Sequence, residues 1–339
     1  MRYVSTRNLK PGDKLGADLI SSHNQVLLRK GLELTHSMIS KLEVLGYQGV
    51  YVEDKISEGI AARDVINPRL KHVARTEMQA FFSDLETSRN HLARKHIPTI
   101  RSIVQSIVDE VVCNRDIMVN IIDFRAYDDY TYSHSLNVAV LCVVMGTVLG
   151  LGKKQLNDLT MGALLHDAGK MFINKEILNK PDRLTPEEFE EIKTHSERGY
   201  KYLADQLEIP ENARIVALQH HEQYCGKGYP NNLSGEEIHL YGRICCVADV
   251  YDALTSDRPY RKSMLPSDAI EYIMGGYGTL FDPAIVNAMM KKIAPYPVGT
   301  CVYLSNGQKA IVVQNHQESI LRPKVRIISD NNEPTSEYI

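Results

Sequence analysis

The stretch GALLHDAGK, residues 162–170, ends an apolar run with a histidine, an aspartate and a lysine. An HD dipeptide alone arises often by chance. Inside an apolar run, however, an imidazole, a carboxylate and an ammonium must compensate one another or share an ion. Three residues therefore ask for partners elsewhere in the chain.

Working outward, the same kinds of side chain recur in short motifs. YTYSHSLNVA carries His134, IKTHSERGY carries His195, and HHEQYCGKGYP (220–230) carries His220 and His221. VADVYDAL supplies Asp249 and Asp252, at a spacing that sets both carboxylates on one helix face. A lone histidine on a helix is usually an ordinary surface or core residue. Five of the 12 histidines fall in these motifs, and with the aspartates they exceed what one ion needs. Imidazole with carboxylate suits manganese, iron or zinc, and the absence of motif thiols argues against a structural zinc site. Two ions bridged by one carboxylate would use the set economically, and such a centre is suited to phosphoester hydrolysis. His220 and His221 project about 100° apart on a helix, which lets them reach one ion or two.

Composition adds bounds. The 339 residues suggest two or three domains, and 43% hydrophobic with 24% charged residues is ordinary globular usage. A net charge of −3 advertises no coat for DNA or RNA polymers and no membrane-surface binding, so an anionic substrate must meet local cations. The six cysteines form no CxxC pair, which reads as reduced thiols in a cytoplasmic protein. The first residues hold no signal-peptide core. The greasiest window, residues 138–151, falls short of the ~20 needed to span a bilayer and reads as a buried helix.

The expected fold is mainly α: an all-helical hydrolase domain with a small N-terminal α/β unit and a small C-terminal β appendage. Residues 1–55 form the first unit, with strands in QVLLRKG and GVYVED. Between them a helix capped by Thr35 carries Met38, Ile39, Leu42 and Leu45 on one face and ends before Gly46. Residues 56–120 read as a linker of one or two helices, and 121–295 as the helical catalytic domain. Residues 296–339 read as two to four strands, with an Asn306-Gly307 turn.

The series HDAGK, ILNKP, HHEQYCGKGYP and RICCVADVYDALTSDRPYR, in this order, resembles the HD-GYP family, the cyclic-di-nucleotide phosphodiesterase branch of the HD hydrolases. The resemblance covers about residues 120–295. It implies that His134, His166, Asp167 and Asp249 hold one divalent ion, and that Asp167 bridges to a second held by His195, His220 and His221. Iron or manganese is the implied metal. Some members add a glutamate four residues before the first histidine and a third ion; Tyr130 stands there, so two are expected.

The implied reaction is hydrolysis of cyclic di-GMP to pGpG, and by a second cut to GMP, with water activated between the metals. Asp167 and Lys170 take the catalytic roles, Lys170 by stabilising a phosphoryl oxygen. Lys170, Arg258 and Arg261 meet the substrate with the Gly228-Tyr229-Pro230 loop, and Asp252 orients a ligand. Cys225 replaces an aspartate usual in the family, and Asn174 stands near a usual proline; neither is an implied ligand. Two other functions fit the motifs: hydrolysis of a different cyclic dinucleotide such as cyclic GMP-AMP, or a silent module that binds nucleotide or signalling partners. A homodimer is a further expected assembly.

Overall fold

A computed structural model describes residues 1–20, 26–47, 49–61, 64–87, 90–119, 130–256, 263–329 and 333–339. At the N-terminal end, β1 (Arg2–Ser5), β2 (Lys14–Leu15), β3 (Leu19–Ile20), β4 (Val26–Leu28), α1 (His36–Val44) and β5 (Gly49–Glu53) follow one another. β5 lies between β1 and β2 and is antiparallel to both, while β3 and β4 pair separately. The Thr35 hydroxyl caps α1 by accepting from Met38 N at 3.3 Å. Ile39 and Leu42 are buried, with Met38 packed against that core. Leu45 is instead 45% exposed. The helical bond from Leu45 N to Lys41 O, 2.9 Å, is kept, so its exposure comes from its place at the C-cap, beyond the last turn of the helix.

The body is built of α2 (Pro68–Glu86), α3 (Asn90–Cys113), α4 (Tyr130–Val148), α5 (Lys153–Leu164), α6 (Lys175–Leu178), α7 (Pro186–Asp205), α8 (Glu211–Gln219), α9 (Leu240–Thr255), α10 (Pro266–Gly275) and α11 (Pro283–Met290). α4 lies at its centre, packed against α2, α3, α5, α9 and α11. From Val138 on its sequence is largely apolar on every side, as a surrounded helix requires. Val138, Ala139, Leu141, Cys142, Val143 and Met145 are at most 1% exposed. Among the described residues no helix is long and apolar enough to cross a membrane. α2 and α3, in the stretch read as a linker, give Phe81, Leu85, Ile100 and Ile107 to the same core.

Two local devices set the path of the chain beyond α5. Thr185 and Glu188 cap each other's backbone at the start of α7, fixing where that helix begins. After α5 a short 3-10 turn, Ala168–Phe172, lies directly on α7. A Cβ on Gly169 would come 1.8 Å from the His195 carbonyl oxygen, so only glycine permits that approach.

The C-terminal strands β6 (Cys301–Tyr303), β7 (Lys309–Gln314), β8 (Lys324–Ile328) and β9 (Pro334–Tyr338) form an antiparallel meander. The Asn306-Gly307 pair makes the β6–β7 turn. One side of this sheet packs Ile311 and Ile328 with Ile60 and Val298. Tyr3 N donates to Gly299 O at 3.0 Å, and Arg326 donates to Glu58 O at 3.0 Å and to Ile56 O. The N-terminal unit and the meander, far apart in sequence, thus lie against each other. Val119 N to Lys292 O, 2.7 Å, closes the body near the same junction.

Candidate metal centre

The seven candidate ligands come from five parts of the helical body. His134 stands on α4, His166 and Asp167 leave the end of α5, and His195 stands on α7. His220 caps the C-terminus of α8, His221 follows it, and Asp249 stands on α9. The donor atoms of His134, His166 and Asp167 lie within 4.8 Å of one another, as do those of Asp167, His195, His220 and His221. Asp167 belongs to both groups. Asp249 Oδ1 is 3.1 Å from His134 Nε2, and Asp249 Oδ2 is 4.0 Å from His221 Nδ1.

The imidazoles are oriented by their outer nitrogens. His166 Nδ1 faces Ala163 O at 2.6 Å, His195 Nδ1 faces Ile192 O at 2.6 Å, and His220 Nδ1 faces Val216 O and Ala217 O at 3.0 Å. A carbonyl only accepts, so each Nδ1 carries the proton and each Nε2 points inward as a potential ligand. His134 differs: its Nδ1 donates to Asp252 Oδ2 at 2.7 Å. Asp252 also accepts from Asn137 Nδ2 at 2.9 Å.

This arrangement leaves unmet demands that a cation would satisfy. Among the described residues, His166 Nε2 and Asp167 Oδ1 are buried and make no hydrogen bond. His195 Nε2 and His220 Nε2 face each other at 3.3 Å, although each outer nitrogen already holds its ring's proton. Buried groups of this kind are costly unless paired. Imidazole and carboxylate donors suit first-row divalent ions, so the residues fit such a centre.

Proton affinities follow the same logic. Burial alone would lower His134, but the Asp249 and Asp252 carboxylates raise it to about 9. Burial also opposes protonation of His166, and Asp167 overcomes it, again to about 9. Burial would raise Asp167, yet Lys170 and His166 hold it well below the usual carboxylate range. Burial is likewise outweighed at Asp249, which His134 and His221 hold low. His195 and His220 are pushed down by burial first; Asp167 opposes this at His195 and Lys170 adds to it, while at His220 the neighbouring imidazoles add to it. Burial lowers His221 too, although 25% of its side chain is exposed, the most in the set. Without a metal, protons on His134 and His166 supply the positive charge that the buried carboxylates demand.

The loop after His221 is pressed back on the candidate ligands. Gly226 has φ +78°, and a Cβ on Gly228 would lie 2.3 Å from Gln223 N, so glycine is required at both. Tyr229 N donates to His221 O at 3.2 Å, and its ring stacks on His221 at 4.7 Å and 28°. The Tyr229–Pro230 peptide is cis.

Residues 117–285 match the family model described as HD domain. Over 268 residues the chain is 33% identical to the cyclic di-GMP phosphodiesterase PA4108 of Pseudomonas aeruginosa, covering 78% of this chain and 64% of that one. A solved structure, Bd1817, an HDG"Y"P protein from Bdellovibrio bacteriovorus, aligns over 85% of this chain and 97% of its own with a TM-score of 0.53. At 16% identity that likeness concerns the fold alone. The chain belongs to the HD-GYP family.

A second relative, the 3'3'-cGAMP-specific phosphodiesterase 3 of Vibrio cholerae, is 30% identical over 267 residues, 78% of this HD-GYP chain and 55% of that one. The chain spans less than two thirds of the length of either curated relative.

Within this HD-GYP chain, Lys170 Nζ lies 2.5 Å from Asp167 Oδ2, with 34% of its side chain exposed. Arg258 and Arg261 lie outside the described residues, as does the side chain of Tyr130. Cys225 is exposed; its backbone N donates to Thr279 O at 2.8 Å, so the loop is anchored there without the thiol. Asn174 caps α6 by accepting from Glu176 N at 2.9 Å.

Glu222 was not singled out by its sequence. Its carboxylate is buried and accepts from Asn231 N at 2.7 Å and Leu233 N at 3.1 Å, tying down the chain beyond Pro230. The signal in the sequence was an acidic residue placed directly after two candidate ligands.

Proposed function

We propose that this chain is a metal-dependent phosphodiesterase that hydrolyses cyclic di-GMP to linear pGpG, with GMP the product of a second cut. The observation that carries it is the sharing of Asp167 by two groups of donor atoms. In this reading His134, His166, Asp167 and Asp249 hold one ion, and Asp167, His195, His220 and His221 hold the other. Iron or manganese suits that donor set. Two such ions, when bound, lower the pKa of a water and offset charge on the phosphoryl oxygens.

The chain's own residues supply position and charge. Attack by water forms one P–O bond and breaks the bond to the ribose 3′ oxygen, which takes the proton. Lys170 spends one N–H on Asp167 and has others to offer a phosphoryl oxygen. Asp252 fixes the His134 ring through Nδ1. Gly228, Tyr229 and Pro230 form a wall of the site beside His221, and Arg258 and Arg261 are assigned to substrate phosphates by the family resemblance alone.

A second reading, hydrolysis of 3'3'-cGAMP, is favoured by the relative of that name in Vibrio cholerae. Anaerobic purification with metal quantification, followed by product analysis on both nucleotides, tests the two together. Metal-dependent formation of pGpG that disappears in Asp167→Ala supports the first. Faster turnover of 3'3'-cGAMP supports the second. Tight binding without turnover by fully metallated protein would overturn both in favour of a silent binding module.

A further inference from the structure

Phe189 stands near the start of α7 with 44% of its surface exposed, outside the hydrophobic core of the helices. A scattered exposed phenylalanine needs no explanation. This one has aromatic company. Its ring meets Tyr229 edge to face at 6.4 Å, and Tyr229 stacks on His221. A row of rings therefore runs from a candidate metal ligand outward to solvent.

Lys193 lies one turn after Phe189 on the same helix, and its ammonium is 4.9 Å from the Phe189 centroid and 5.8 Å from that of Tyr229. Glu190 engages it from one side at 2.6 Å. An ammonium has three donors, so others are available for a ligand.

A cyclic dinucleotide places a purine within one nucleotide's reach of each phosphate. Aromatic side chains accept any base on their π faces. A lysine discriminates between bases, because guanine presents O6 and N7 as acceptors where adenine presents an N6 donor beside N7. Resting on the phosphodiesterase reading above, we propose that Phe189, Tyr229 and Lys193 form the subsite for one purine of the substrate, with Lys193 favouring guanine.

The test uses full-length, metal-quantified protein. A cyclic dinucleotide of 2-aminopurine and adenine, which leaves no guanine to take the subsite in place of the probe, reports stacking by fluorescence quenching, read in stopped flow before turnover. Wild type is expected to quench it, and Phe189→Leu, which keeps an apolar side chain without a π face, to lose most of that quenching. The same variant should raise KM for cyclic di-GMP about tenfold with kcat held within about twofold. Lys193→Met should leave quenching in place and cut the preference for cyclic di-GMP over cyclic di-AMP, measured by displacement of the probe, about tenfold.

Unchanged KM and quenching in Phe189→Leu, with unchanged base preference in Lys193→Met, would overturn the subsite while leaving the hydrolysis reading intact. Wild-type protein that carries its metals but neither binds nor cuts a cyclic dinucleotide would overturn the hydrolysis reading first. Melting curves on both variants identify any loss of fold, and the two substitutions report independently.

Discussion

His134 Nδ1 donates to Asp252 Oδ2 at 2.7 Å, a buried bond that joins α4 to α9. Asp252 is one helical turn from Asp249, whose Oδ1 lies 3.1 Å from the other nitrogen of the same ring. One helix thus offers a carboxylate to each side of one imidazole. The outer carboxylate fixes the tautomer and aims Nε2 at the candidate centre.

Asp252→Ala should therefore weaken metal retention without removing a ligand. The expected loss of affinity is about 10–100-fold, the usual cost of deleting an orienting partner. Asp252→Asn keeps an acceptor for His134 and should retain metal better than the alanine variant. Metal content after dialysis against graded chelator checks both. Equal retention in wild type and Asp252→Ala would remove the orienting role.

Removing Asp167 should act on both groups at once. Asp167→Ala deletes the one side chain common to them, so metal content should fall at both positions rather than by half. His195→Ala touches only one group and should leave the other loaded. Metal-to-protein ratios for the two variants decide it, and a half-loaded Asp167→Ala protein would contradict a shared ligand.

Metal loading should release protons at neutral pH. In metal-free protein His134 and His166 are raised to about 9, so both are protonated at pH 7 and must lose those protons to coordinate. His195, His220 and His221 are pushed down, so they are already neutral and release none. Apparent affinity should rise with pH up to about 9 and then level off. The linked effect on metal-free stability has the opposite sense. A raised histidine stabilises fully below its ordinary value of about 6.5, and that contribution is lost as pH climbs through 9. Indicator titration in weak buffer measures the release, and denaturant curves of the metal-free protein measure the loss.

Glu222→Ala should free the chain beyond Pro230. Asn231 N and Leu233 N lose their acceptor in a part-buried setting, at a cost of about 1 kcal/mol each. Those two amides should exchange hydrogen faster than in wild type, while amides in α4 stay protected. Glu222→Gln retains one acceptor oxygen and should fall between. Unaltered exchange at both amides would show that the loop does not depend on this carboxylate.

Much of this was legible in the chain, and the reason lies in which residues tolerate substitution. His134, His166, His195, His220 and His221 are visible as candidates because few side chains could hold a metal from a buried position. The apolar run through α4 identifies a surrounded helix in the same way. Contacts made by backbone groups leave no such mark. Glu222 shows a carboxylate but not the two amides that receive it. The Asp249–Asp252 spacing predicts a shared face but not that His134, on another helix, fills the gap. The docking of Tyr3 on Gly299 depends on segments from opposite ends of the chain, and neither segment announces the other.

Gly169 gives the most stringent test of how the candidate centre is assembled. It holds the turn after Asp167 against α7, where a Cβ would meet the His195 carbonyl oxygen at 1.8 Å and Gly199 N at 2.7 Å. Both obstacles are backbone atoms, so no side-chain rotation relieves the clash. Gly169→Ala must push the turn off α7, costing at least about 3 kcal/mol, the upper end for overpacking. That displacement separates Asp167 from His195, now 3.6 Å apart between Oδ1 and Nε2. Any folded fraction should therefore lose the ion held by His195, His220 and His221 before the one held by His134 and His166. Denaturation together with metal counting checks both parts, and a fully loaded Gly169→Ala protein of wild-type stability would mean that the close approach is not what aligns the two ligands.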